Sequence, residues 1–173
     1  MASYGSPRRA RGQRVAESAL WRAASRAART DALLLDTHIW LWTLDGTRGL
    51  MAESAMALVA AAAADARLFV SDMSYWEVSL KAAKGKLVLS LAPTLWLERA
   101  ANAPGVQPLP VTRDALIQST RLPGECHGDP VDRILLAQAQ LHGLSLLTCD
   151  RLIVDYAARQ PGVPVCDARG KVS

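Results

Sequence analysis

Little in this chain supports thiol or imidazole chemistry. Its 173 residues hold three cysteines, Cys126, Cys149 and Cys166, which are widely spaced and odd in number. No CxxC pair or CxxH spacing occurs, so neither a zinc site nor a disulfide framework is indicated. A reducing, cytoplasmic setting fits such cysteines best. The three histidines, at positions 38, 127 and 142, are equally scattered, and each reads as a surface or packed residue rather than a ligand. No apolar run approaches the roughly 20 residues of a membrane helix. The stretch "ALLLDTHIWLW" is too short, and an acid interrupts it. There is no internal repeat, and no low-complexity run beyond the alanines. Half of the residues are apolar and 21% are charged, a balance that lets one domain bury a core and argues against disorder.

The net charge of +4 is unevenly spread. Residues 1–30 carry seven arginines (8, 9, 11, 14, 22, 26 and 29) against one acid, Glu17, while the rest of the chain holds 13 basic and 15 acidic residues. The basic character therefore belongs to an Arg/Ala-rich N-terminal extension, flexible or helical by propensity over 15–29. Clustered arginine suits phosphate backbones. It equally suits a transit peptide, a solubilising tail or an upstream translation start. The domain proper is expected over residues 31–173.

From residue 31 the pattern alternates between strands and helices. "ALLLD" (32–36), "RLFVS" (67–71), "LSLLTCD" (144–150) and "VPVCD" (163–167) read as short buried strands. "VQPLPV" (106–111) suits an edge, because its prolines forbid a central place. Helices are expected from "THIWLWTL", over 50–65, after the candidate caps Ser71 and Asp72 to near Gly85, over 93–103, 112–122 and 130–142, and from "RLIVDYAARQ". Such alternation implies a parallel sheet with helices on both faces. Ligands of such sheets gather at the carboxyl ends of the strands.

That rule draws attention to the acids. Asp36 and Asp150 each end a strand and precede a helix, where a capping role alone would explain them. In "GDPVDR", Asp129 is a natural N-cap with Pro130 at the first helical position. Asp132 then favours the helix dipole. Glu77 lies inside a helix, four residues before Lys81, and that ion pair would contribute only about 0.2–0.5 kcal/mol. If the strands are parallel, Asp36, Glu77, Asp132 and Asp150 can meet at one edge. Carboxylates packed together repel and some take up protons unless a cation compensates them. Four carboxylates without a Cys or His partner suit Mg²⁺ or Mn²⁺ better than Zn²⁺. Such an ion activates water and steadies a phosphate under attack.

Three stretches in this order, "LLLDTHIWLW", "SYWEVSLKAAKGKL" and "GDPVDRILLAQAQLHGLSLLTCD", resemble PIN-domain ribonucleases, specifically the VapC-type toxins of bacterial type II toxin–antitoxin pairs. The likeness covers about residues 32–167, and D-T-H, W-E, D-P-x-D-R and T-x-D are specific as a set although each is weak alone. It implies a PIN-like three-layer α/β/α sandwich around a mainly parallel sheet. It also implies a Mg²⁺-dependent (or Mn²⁺-dependent) endoribonuclease that leaves 3′-hydroxyl and 5′-phosphate ends. A VapB-type antitoxin, a homodimer and no membrane association complete the expectation. Asp36, Glu77 and Asp132 match the three core metal-binding and catalytic acids, and Asp150 matches the fourth. Thr37 and Thr148 match hydroxyl positions beside the site. Asp129 matches an acid common in this subgroup, a cap that could also support the ligands. Arg133 follows the third acid, in reach of phosphate or of a carboxylate. Tyr156 keeps an expected aromatic, whereas the arginine-rich extension departs from the compact pattern.

Lys81, Lys84 and Lys86 are candidate phosphate contacts, set against dipole pairing at a helix end. Trp40, Trp42 and Trp76 could stack on bases, set against packing in the core. Three rivals remain. A receiver-like phosphoacceptor would need a lysine on a late strand, and "LSLLTCD" and "VPVCD" offer none. A catalytically inactive binding domain of the same fold is opposed by the complete set of four acids. A flap-type nuclease would need more chain.

Overall fold

The computed structural model describes residues 32–46, 49–126 and 128–169. The arginine-rich extension over 1–30 and His127 lie outside them. Among the described residues, five strands alternate with seven helices: β1 (Leu33–Leu35), α1 (Thr37–Asp45), α2 (Glu53–Ala64), β2 (Leu68–Ser71), α3 (Asp72–Ala83), α4 (Pro93–Ala101), β3 (Val106–Leu109), α5 (Arg113–Ser119), α6 (Pro130–His142), β4 (Ser145–Thr148), α7 (Arg151–Arg159) and β5 (Val165–Asp167). All neighbouring strands pair in parallel, in the order β3-β2-β1-β4-β5. The expected α/β/α layering is therefore present, and Pro108 sits in edge strand β3 as its missing N–H requires.

Alternation along β1 shows how the layers form. Leu33 and Leu35 face one core with Trp40, Val59, Val78 and Trp96, supplied by α1 to α4. Leu34 faces the other with Leu135, Leu136, Ile153 and Tyr156, supplied by α6 and α7. Both faces of the strand are covered, so its leucines run without a polar break. Trp40 lies in the first core against the rings of Tyr75 and Trp96, at centroid distances of 4.6 and 5.3 Å. Base stacking by Trp40 is thereby ruled out, because the ring is 1% exposed.

The chain leaves β1 toward β2 and β3, then returns across the sheet to β4 and β5. The order thus reverses between β1 and β4, which opens a crevice at their carboxyl ends. Local signals fix the elements around it. Ser71 caps α3 by accepting from Met73 N–H at 3.0 Å. Gly143 ends α6 in the left-handed conformation at φ 65°, which favours glycine.

One buried amide ties α6 to the far strands. Gln138 is fully enclosed; its Oε1 accepts from the Ser71 hydroxyl at 2.5 Å, and its Nε2 donates to the carbonyls of Leu109 (3.4 Å) and Pro110 (3.1 Å). Nothing in the apolar periodicity of α6 marks this role. Replacing Gln138→Leu keeps the volume but removes the acceptor of the Ser71 hydroxyl proton and one donor to each of two carbonyls. Urea unfolding should show a loss of about 1–3 kcal/mol.

Tyr156 closes the second core by donating to the Pro123 carbonyl at 2.8 Å. Burial, then the neighbouring Cys126, pushes its phenol from 10.0 up to about 12. The folded state therefore favours the neutral phenol. This contribution is complete below pH 10 and is lost as pH rises from about 10 to about 12. Denaturation midpoints over that interval should fall less steeply in Tyr156→Phe than in the parent.

Candidate metal-binding and nuclease site

A cleft of about 230 Å³ opens at the carboxyl ends of β1 and β4. Its lining comprises Asp36, Thr37, His38, Glu77, Lys81, Asp129, Asp132 and Asp150. The four acids expected as ligands are thus brought together from four places: the end of β1, the middle of α3, the first turn of α6 and the turn after β4. Asp129 and Thr37 join them. Thr148 lies beneath, fully buried, while Arg133 is not in the lining and its Nε donates to the Ser119 carbonyl at 3.0 Å.

Asp36 occupies the N-cap position of α1, yet its side chain makes no capping bond. Its carboxylate is held instead from two other directions. The Thr148 hydroxyl donates to Oδ2 at 2.6 Å, and His38 Nδ1 stands 3.2 Å from Oδ1. His38 Nε2 accepts from the Cys149 backbone N–H at 3.0 Å. An imidazole that accepts at Nε2 carries its proton on Nδ1, so it donates to Asp36 as the neutral ring. The Thr148 oxygen in turn accepts from the Asp150 N–H at 2.9 Å. These bonds close a loop that joins the end of β1 to the turn after β4.

The capping and cleft readings of the other acids prove compatible. Asp129 Oδ1 accepts from Val131 N–H at 2.8 Å, and Asp150 Oδ1 accepts from the N–H groups of Leu152 (2.7 Å) and Ile153 (3.4 Å). Each caps a helix while lining the cleft. The N-termini of α1, α6 and α7 consequently converge there, and their positive ends favour anions. Thr37 donates to the Ser74 hydroxyl at 3.1 Å, which pins α1 to α3 beside Glu77. Glu77 Oε1 pairs with Lys81 Nζ at 2.6 Å, the expected i,i+4 pair.

His38 is the site residue that composition alone did not single out. Its position two residues after Asp36, within "DTH", was the available signal. Its ring also packs on Trp42 at a centroid distance of 4.9 Å. Lys84 and Lys86 do not line the cleft, and Trp76 stands 52% exposed on α3. Burial raises the Cys149 thiol above its ordinary value, with Asp167 adding to the effect, so this cysteine next to Asp150 is not an activated nucleophile.

The donor set fits a hard cation. The lining acids offer oxygen donors, and both nitrogens of the one imidazole are already bonded. Among the described residues, no three acidic, histidine or cysteine side chains close into a tight ligand cage. An open carboxylate cleft is what Mg²⁺ uses, since that ion keeps several waters and takes few protein ligands.

Comparison with known proteins agrees with this geometry. The PIN domain family matches residues 33–158. The ribonuclease VapC22 of Mycobacterium tuberculosis is 30% identical over 130 residues, spanning 75% of this chain and 95% of that protein. The chain belongs to the VapC-type PIN-domain ribonucleases. Among solved structures, a toxin–antitoxin complex from Klebsiella pneumoniae superposes with a TM-score of 0.53 at 25% identity, covering 79% of this chain and 98% of that one. A DNA-bound VapBC2 from Rickettsia felis gives a TM-score of 0.57 at 12% identity, covering 79% and 98%, a likeness of fold. Members of this PIN-domain family depend on a metal ion for activity.

The loop around Asp36 should control ion binding in this PIN domain. Thr148→Val removes one donor to Asp36, and His38→Phe removes the other while keeping a ring on Trp42. Titration calorimetry with Mn²⁺ should show each variant about 10- to 100-fold weaker in affinity, with circular dichroism unchanged.

Proposed function

We propose that this chain is a Mg²⁺-dependent endoribonuclease, the toxin of a toxin–antitoxin pair, and that Mn²⁺ substitutes for Mg²⁺. The observation that carries the reading is the cleft itself: four acids from separate elements line one pocket at the sheet's switch point. Residues 31–173 act as the nuclease domain. Asp36, Glu77, Asp132 and Asp150 are the residues that would hold the ion, directly or through water.

When bound, the ion would supply positive charge for the phosphodiester and an acidified water for hydrolysis. The chain's own groups do the positioning. Thr148 and His38 hold the Asp36 carboxylate, and Thr37 holds α1 against the helix that carries Glu77. Asp129 starts α6 and so sets where Asp132 stands. The helix N-termini around the cleft favour the phosphate that must enter among these acids. Arg133 Nε, bonded to the Ser119 carbonyl, ties α6 to α5.

An RNA strand is the substrate, and a VapB-type antitoxin is the partner. That partner is suggested by the Klebsiella relative, whose structure is a toxin–antitoxin complex. A homodimer acting in the cytoplasm completes the proposal. Among the described residues no helix is long and apolar enough to cross a membrane. The alternative of an inactive binding domain is disfavoured by the intact acids.

Purified protein incubated with RNA and Mg²⁺ should cut it, stop on addition of EDTA, and recover with Mg²⁺ or Mn²⁺. Asp36→Asn should abolish cutting with the circular dichroism spectrum unchanged. Full cutting by that variant in metal-replete buffer, or cutting that EDTA leaves untouched, would overturn the proposal.

A further inference from the structure

We infer that Lys81 is a substrate-binding residue of the cleft, whose ammonium group leaves Glu77 and takes a non-bridging oxygen of the scissile phosphodiester. This inference rests on the ribonuclease reading above. Among the described residues that line the cleft, Lys81 contributes the sole ammonium or guanidinium group, facing five carboxylates. Arg133, whose Nε bonds the Ser119 carbonyl, Lys84 and Lys86 are not in the lining.

The present partner of Lys81 is one that function would remove. Nζ lies 2.6 Å from Glu77 Oε1, so the ammonium and an incoming divalent ion compete for the same carboxylate. Two positive charges drawn to one carboxylate repel each other at such range, which weakens the hold of each. Once an ion is seated, Lys81 is repelled from Glu77. Its side chain is 48% exposed and its four-carbon stem is flexible, so Nζ can swing without moving α3. The other acids of the cleft are Asp36, Asp132 and Asp150, which would also serve the ion, and Asp129, whose Oδ1 is bonded to the Val131 N–H. A phosphate oxygen entering the cleft is then the anion within reach, and a lysine is well suited to it as a point charge. The pair thus keeps Glu77 neutralised in the empty cleft and frees a cation when the cleft is loaded.

Three measurements with the full chain test this. In calorimetry with Mn²⁺ and no RNA, Lys81→Met should bind the ion about 2- to 5-fold more tightly, the ratio that one partly exposed ion pair is worth. In EDTA, where no ion competes, fluorescence anisotropy should follow a labelled single-stranded RNA across Glu77→Gln, Lys81→Met and the double variant. The Lys81→Met loss should be about 10-fold in the Glu77→Gln background and small in the parent. With saturating Mg²⁺, Lys81→Met should lower kcat/KM for RNA by about 10-fold, and Lys81→Arg should restore part of it. Equal RNA affinity with and without Lys81 in the Glu77→Gln background would overturn the inference. So would weaker Mn²⁺ binding by Lys81→Met, which would make the lysine a prop for Glu77. If the parent cuts RNA and Asp36→Asn does not, while Lys81→Met matches the parent throughout, this inference alone fails. If the parent does not cut RNA, the ribonuclease reading fails instead.

Discussion

A buried carboxylate at the end of the central strand governs the arrangement of this molecule. Asp36 is 5% exposed, and a charge so enclosed persists only when its oxygens are bonded. The chain meets that demand with the Thr148 hydroxyl and the His38 ring, both of which are also bonded to the backbone just after β4. The two strands that flank the reversal of sheet order are thereby joined across their open ends. Any shift of β4 relative to β1 would break several of these bonds together. One wall of the cleft is therefore cross-linked by hydrogen bonds between the ends of β1 and β4, and the acids of α3 and α6 are set against it.

The remaining acids show how one residue can serve stability and function together. Asp129 and Asp150 satisfy orphan N–H groups at the starts of α6 and α7, as capping residues should. The same bonds aim positive helix ends at the crevice. A cleft lined by five carboxylates would otherwise repel both itself and any phosphate. The converging dipoles, together with Lys81 on Glu77, offset part of that charge before an ion arrives. Capping and ligand roles are therefore not competing explanations for these acids.

Much of this was legible in the sequence because local rules and tertiary structure agree. Buried parallel strands announce themselves as apolar runs, and "LLL" before Asp36 and "SLLT" before Cys149 are such runs. Pro108 marked the edge strand and Gly143 the end of α6 for backbone reasons that hold in any context. Long-range polar contacts were not legible. Gln138 reaches Ser71 across 67 positions, and His38 reaches Cys149 across 111. No periodicity or spacing encodes such meetings, since they exist only once the sheet has ordered its strands. The contact from Arg133 Nε to the Ser119 carbonyl, across 14 positions, was equally hidden.

The most direct test of the account is anomalous diffraction from crystals of this protein grown with Mn²⁺. The account predicts a manganese peak in the cleft, within coordination distance of Asp36 and at least one of Glu77, Asp132 and Asp150. A cleft without such a peak at saturating Mn²⁺, or manganese bound only elsewhere on the surface, would contradict it.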